Sequence, residues 1–318
     1  MSAHAHPLAL FAAIAVSSLY LLQRKPAALS PAAPLILLVD NGSLRADSFL
    51  SLRAMAAAVT ALAGVPVTAA SARFADRVAG LSPPGDTVDT ALARYLRAAP
   101  PPRAPHVLVL PAFFGPSDTL TQLVPSIVAR HAAACPALRL ATAAPLVDTA
   151  DAADTRVARA LRDGVLATLA SAGVPLRAAA VALCDHGSPV PAVGVVRGHL
   201  AAQLRALLPA PPRAFSEASM EKREGPAFAF NDPLLEVLLR APPFDDGVVV
   251  VALAFLSPGK HAGPGGDLVG IAEAAERDAA RAGRALRVLF TPLLGASEAV
   301  AEVLRDRLLA ALDGGSGA

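Results

Sequence analysis

Two histidines and one glutamate in the C-terminal half of this 318-residue sequence occupy comparable places. His186 follows an aliphatic run in "AVALCDHGS", Glu221 follows a second in "FSEASMEK", and His261 follows a third in "VVVALAFLSPGKH". Neutral imidazole and carboxylate are the ligand types for a borderline divalent ion such as Co²⁺, Fe²⁺ or Ni²⁺. A neutral imidazole can also accept a proton near neutral pH. The residue types therefore point to a site for a borderline divalent metal ion.

These groups act together only if three separate segments deliver them to one place. The aliphatic runs are short and continuous, as in strands buried on both faces. In the second half the expected strands are 179–184, 214–219, 248–255 and 286–290. The expected helices are 192–208, 231–240, 267–282 and 297–312. Strand–helix alternation implies a parallel sheet with right-handed crossovers. His186, Glu221 and His261 then project from one edge of that sheet. Gly187 lets the chain turn tightly, and Ser188 can cap the next helix. Cys184 shares a face with His186 and reads as packing, and His199 reads as a surface residue. Glu221 lies in the charged run "EKRE", and Lys260 beside His261 can meet a carboxylate or simply be solvated.

The chain repeats itself. "LILLVDNGSLRADSF" from Leu35 parallels "AVALCDHGSPVPAVG" from Ala180, each an aliphatic run, an Asp, a polar residue and Gly-Ser. "VTAASARF" parallels "FSEASMEK", and "HVLVLPAFFGPSDTL" parallels "VVVALAFLSPGKHAG". "LRLATAAPLVD" and "ARALRDGVLATL" have partners in "LRVLFTPLLG" and "AEVLRDRLLAAL", all in the same order. Self-similarity of this kind sets the architecture: an α/β protein of two duplicated lobes, each a parallel four-stranded sheet flanked by helices, facing across a cleft. The lobes span residues 34–172 and 173–318. In the first lobe Asn41 stands for His186, Thr119 for His261 and Arg73 for Glu221. Asparagine is a poor ligand, and arginine neither accepts a proton nor binds a cation. Arg45, Arg73 and Arg77 cluster instead near its strand ends.

Residues 1–33 differ. "PLALFAAIAVSSLYLLQ", residues 7–23, is uncharged and precedes Arg24 and Lys25. It is about the minimum length for a membrane span, and the basic pair would keep the following domain cytoplasmic. An anchor, a cleaved leader and a misassigned start all fit it. The stretch before Leu35 reads as a stiff Pro/Ala linker. A net charge of +2 gives no electrostatic case for nucleic acid. Cys135 and Cys184 are too few for a disulfide framework and suit a reducing compartment.

"CDHGS" followed by "AFLSPGKH…GGDL" resembles the signatures of the class II tetrapyrrole chelatases, the CbiX/SirB-type sirohydrochlorin cobaltochelatases and ferrochelatases. Their pattern is a Gly/Asp-His-Gly-Ser turn and a "PxFLxxGxH…DI" turn. The tail "LFTPLLGASEAVAEVLRDRL" also resembles theirs, and the similarity covers roughly residues 35–312. The resemblance implies insertion of Co²⁺ or Fe²⁺ into a sirohydrochlorin-like macrocycle without ATP or an organic cofactor. Carried over by position, His186 and His261 are the histidine pair, Glu221 is the acidic partner and Asp267 is the acidic end of the second turn. Such macrocycles carry many carboxylates, which arginine grips in forked geometry. The implied substrate contacts are Arg45, Arg73, Arg77, Ser188 and Lys260. Two-halved members more usually carry the histidine pair in the N-terminal half, whereas here it is in the C-terminal half. A non-catalytic metal or tetrapyrrole carrier would keep the same pocket. A hydrolase using Ser188 lacks a triad and a nucleophile elbow.

Overall fold

The computed structural model describes residues 34–98 and 105–314. The uncharged stretch 7–23 lies outside the described residues. The first half runs β1 (Leu35–Asp40), α1 (Ala46–Ala63), β2 (Thr68–Ser71), α2 (Val88–Leu96), β3 (His106–Pro111), α3 (Val124–Ala132), β4 (Arg139–Thr142) and α4 (Arg156–Ala172). The second half repeats this order: β5 (Ala179–Asp185), α5 (Pro191–Leu207), β6 (Ala214–Ser219), α6 (Leu235–Leu238), β7 (Val248–Leu253), α7 (Asp267–Arg281), β8 (Arg287–Phe290) and α8 (Glu298–Gly314). The two parallel sheets have the same strand order, β2-β1-β3-β4 and β6-β5-β7-β8.

Side chains alternate across each strand, and the alternation shows how the layers are built. In β5, Ala179, Val181 and Leu183 enter one apolar core, while Ala180, Ala182 and Cys184 enter another. In β1, Ile36 and Leu38 join the same core as Leu183, while Leu35, Leu37 and Val39 face a third. The shared core is therefore central, and α1, α4, α5 and α8 fill it from between the sheets through residues such as Leu52, Leu161, Leu204 and Leu308. Helices α2 and α3 cover the outer face of the first sheet, and α6 and α7 that of the second.

The last helix of each half crosses over. Helix α4 packs on β7 and α5 of the second lobe, and α8 packs on α1 and β3 of the first. Dividing the chain after residue 172 separates the sheets but not the packing. Salt links reinforce the crossing, with Arg156 at the start of α4 bonding Asp306 on α8 at 2.5 Å.

Two sequence expectations need correction. The helix expected over 231–240 is only the single turn of α6. A 3₁₀ segment, Pro226–Asn231, precedes it, and Asp232 is extended (φ −73°, ψ 151°) as the residue before Pro233 must be. His199 is not a surface residue. It sits on α5 within the central layer, and its Nε2 is sealed from solvent without a hydrogen bond. Among the described residues, α1 is the one helix long and apolar enough to cross a membrane. Its apolar face (Phe49, Leu52, Met55, Ala56, Val59) belongs to the central core.

Candidate metal centre

The strand order explains why distant residues converge. From β5 the chain leaves toward β6 on one side, and from β7 toward β8 on the other. A crevice opens at the C-terminal ends of two neighbouring strands whose connections diverge, which is where open α/β sheets bind ligands. His186 follows β5 directly, and the loop 254–266 after β7 carries His261.

The two imidazoles meet edge to face, with centroids 4.6 Å apart and planes at 79°. His186 Nε2 lies 3.5 Å from Glu221 Oε1. His186, Glu221 and His261 each offer a ligand atom, all within 4.8 Å of one another. His186 Nδ1 is 3.0 Å from the Gly187 carbonyl, which can only accept, so the neutral ring carries its proton there and keeps the Nε2 lone pair. His261 Nδ1 is 2.8 Å from Asp267 Oδ2 with the same consequence. Partners of this kind orient metal-binding histidines.

Local backbone geometry places Glu221. Gly187 has φ +85°, and a Cβ there would lie 1.9 Å from the Glu221 carbonyl oxygen. Only glycine allows the β5 and β6 turns to approach so closely. Met220 N–H then donates to the Asp185 carbonyl and Glu221 N–H to that of His186. The first lobe repeats the device: Gly42 has φ +89° and meets the Arg73 carbonyl at the same distance. Thr119 Oγ1 donates to Asn41 Oδ1 at 2.5 Å. The positions equivalent to the two imidazoles are thus also in contact, with groups that bind each other.

Beside that pair, Asp40 has a carboxylate oxygen sealed from solvent with no partner, and burial pushes its pKa up to about 6. From pH 3.8, its ordinary value, to about 6 the folded state holds the proton that the unfolded state releases. Stability therefore falls as pH rises through that window, and the loss is complete above it. Asp40→Asn is expected to raise stability at pH 8 by about 1–3 kcal/mol, the free energy that corresponds to raising a carboxyl pKa from 3.8 to about 6, and to add nothing at pH 3. Urea unfolding at the two pH values measures it; equal effects at both would contradict the burial cause.

A cleft of about 1410 Å³ joins the lobes at these strand ends. Phe113, Phe114, Phe255 and Leu256 contribute apolar wall, and Arg45, Arg73, Ser188, Lys260 and His261 line it too. Arg73 makes no side-chain hydrogen bond or ion pair among the described residues. Arg45 is engaged: Asp47 takes two of its N–H groups (3.3 and 3.0 Å), and Nη1 reaches across the cleft to the Gly259 carbonyl (3.2 Å). It clasps the His261 loop to the first lobe, as does Ser257 Oγ to Ser51 Oγ at 3.1 Å. Arg77 does not line the cleft. Its guanidinium lies 4.9 Å over the Phe74 ring, because the 3₁₀ turn Ala75–Arg77 carries it past the strand end. Ser188 does not cap α5: its hydroxyl accepts from Val190 N–H at 3.0 Å, one step before the helix begins. Lys260 is exposed, 3.9 Å from Asp267. Cys184 is fully buried, and burial pushes its thiol pKa well up.

Sequence reasoning missed two cations. Arg223 lines the cleft although it reads as part of a solvated charge run. Neighbouring Lys222 is instead held by both oxygens of Asp232 at 2.6 Å. Arg197 is buried in the wall of the cleft, and its one sequence signal is a charge at an apolar helical position between Val196 and Leu200.

No family model matches the sequence, and no curated protein matches it either. Solved structures do share the fold. SirB from Bacillus subtilis with Fe³⁺ aligns at TM-score 0.61 and 17% identity, covering 89% of this chain and 97% of that one. The sirohydrochlorin chelatase SirB from Bacillus subtilis subspecies spizizenii, in complex with cobalt, gives 0.58 and 16%, covering 89% and 96%. CbiX, described as the terminal enzyme of siroheme biosynthesis in denitrifying bacteria, gives 0.51 and 17%, covering 87% and 97%. The chain has the two-lobed fold of the class II tetrapyrrole chelatases.

Proposed function

We propose that the protein is a metal chelatase that inserts Co²⁺ or Fe²⁺ into an acidic, sirohydrochlorin-type tetrapyrrole. The observation that carries this reading is the convergence of His186, Glu221 and His261, with both histidines lining a cleft large enough for a macrocycle. The fold shared with SirB and CbiX supports it.

The metal is a substrate here. His186 and His261 offer Nε2 lone pairs and Glu221 a carboxylate, and the remaining coordination positions stay open for the pyrrole nitrogens. Insertion releases two pyrrole N–H protons. As the ion leaves the imidazoles, their freed lone pairs can accept those protons. The Asp267 carboxylate beside His261 would stabilise the imidazolium so formed. The aromatic walls take the flat face of the ring. Arg73 from the first lobe and Arg223 from the second lie where peripheral carboxylates would arrive. Arg45, already bound to Asp47, serves first as a clasp.

Purified protein mixed with sirohydrochlorin and Co²⁺ should change the macrocycle's visible absorbance catalytically. Co²⁺ binding without turnover would instead assign a carrier. Arg73→Ala is expected to raise KM for the tetrapyrrole about tenfold, the loss of about 1.4 kcal/mol of charge-assisted bonding, with kcat little changed. An unaltered KM would remove Arg73 from the substrate site.

A further inference from the structure

Arg197 has no task in the scheme above, yet it is only 3% exposed in the central layer. Buried ion pairs are poor sources of stability, because desolvation offsets the attraction, so such a residue needs another reason to be there. Its contacts supply one. Nη1 donates to Asp185 Oδ1 at 3.4 Å and Nη2 to the Phe230 carbonyl at 2.6 Å. Its Nε lies 3.8 Å from Glu217 Oε2, and neither of those two atoms makes a hydrogen bond. The same Asp185 Oδ1 accepts from Gly187 N–H at 3.1 Å, and the Gly187 carbonyl is the group that holds His186 Nδ1. An unbroken chain of contacts runs from Arg197 through Asp185 and Gly187 to the imidazole.

The first lobe shows the same frame without the cation. Arg197 stands twelve residues after Asp185, and Leu52 stands twelve residues after Asp40. In each lobe five residues separate the strand from its helix, 41–45 between Asp40 and α1 and 186–190 between Asp185 and α5. Leu52 is fully buried. With no guanidinium beside it, Asp40 is left with an unpartnered oxygen, and its turn carries Asn41 in place of a histidine. The lobe that has the imidazoles is the lobe that has the buried arginine.

We propose that Arg197 is a positioning residue of the metal centre, fixing the Asp185 carboxylate so that the Gly187 turn aims His186 at Glu221 and His261. The inference rests on the metal-handling reading of those three residues. Arg197 borders the cleft but is almost wholly buried, and it reaches the metal centre only through the turn.

The test is titration of Co²⁺ into the full chain, read by visible d–d absorption and affinity, with denaturant unfolding of each variant alongside. Arg197→Leu, which copies the first lobe, is expected to weaken Co²⁺ binding by about ten- to a hundredfold and to alter the d–d spectrum in protein that is still folded. Asp185→Asn should do the same. The double variant should bind no more weakly than the weaker single, because both changes break one chain. Arg197→Lys, keeping the charge but not the fork, should recover part of the affinity. Unchanged affinity and spectrum in folded Arg197→Leu would overturn the proposal, as would additive losses in the double. If Arg197→Leu does not fold, Arg197→Lys and Asp185→Asn decide by the same readouts. Wild-type protein that ignores Co²⁺, or binds it equally after His186→Ala, would instead strike down the metal-handling reading and this inference with it.

Discussion

His261→Ala protein is expected to lose Co²⁺ insertion into sirohydrochlorin by at least about a hundredfold in kcat while remaining folded. The ring is edge to face with His186 and is backed by Asp267, so in the proposed scheme it serves as both a ligand and the better supported proton acceptor. Removing a positioned general base alone costs about 10²–10⁴-fold. His186→Ala should lose activity comparably. The losses should not multiply in the double variant, because in the proposed scheme the two residues hold one ion and act as a unit. Neither change touches the core: His186 is exposed and His261 half-buried, so the unfolding midpoint should move little. Retained turnover in the double variant would place the chemistry elsewhere in the cleft.

Leu304→Ala should produce the largest loss of stability. Leu304 is fully buried on α8, the helix that leaves its own sheet to pack on α1 and β3. Truncating a buried leucine costs about 2–5 kcal/mol, the upper part where the surroundings cannot collapse. Four helices wedged between two sheets leave little room to collapse. Because the central core is continuous through both lobes, unfolding should stay a single transition at a lower urea midpoint, with both lobes lost together. Two separated transitions, one unchanged from wild type, would show that the lobes fold independently and that the helix crossing is not what joins them.

Much of this architecture follows from the sequence alone, because it rests on short-range periodicity. Runs such as "LILLVD" and "AVALCD", too apolar for a half-exposed strand, locate buried parallel strands, and the ordered repeat makes the two lobes equivalent. Asp-His-Gly-Ser and the downstream Gly-Lys-His place the histidines after strands, and a parallel sheet then puts them on one edge. Gly187 is legible for the same local reason: a turn that tight admits no Cβ.

What the sequence leaves open depends on packing between segments far apart in the chain. No local pattern says that α4 and α8 exchange sheets, since their apolar faces would suit either one. Arg45 and Arg77 look alike as exposed cations near strand ends. A carboxylate two residues on and a carbonyl across the cleft occupy the first, and a 3₁₀ turn carries the second past the rim. Arg197 reads as one charge on an apolar helix until the fold sets it beneath Asp185. The distances that make a site of His186, Glu221 and His261 likewise come only from the tertiary structure, because a strand order of 2-1-3-4 brings together two strand ends whose histidines lie 75 residues apart in the chain.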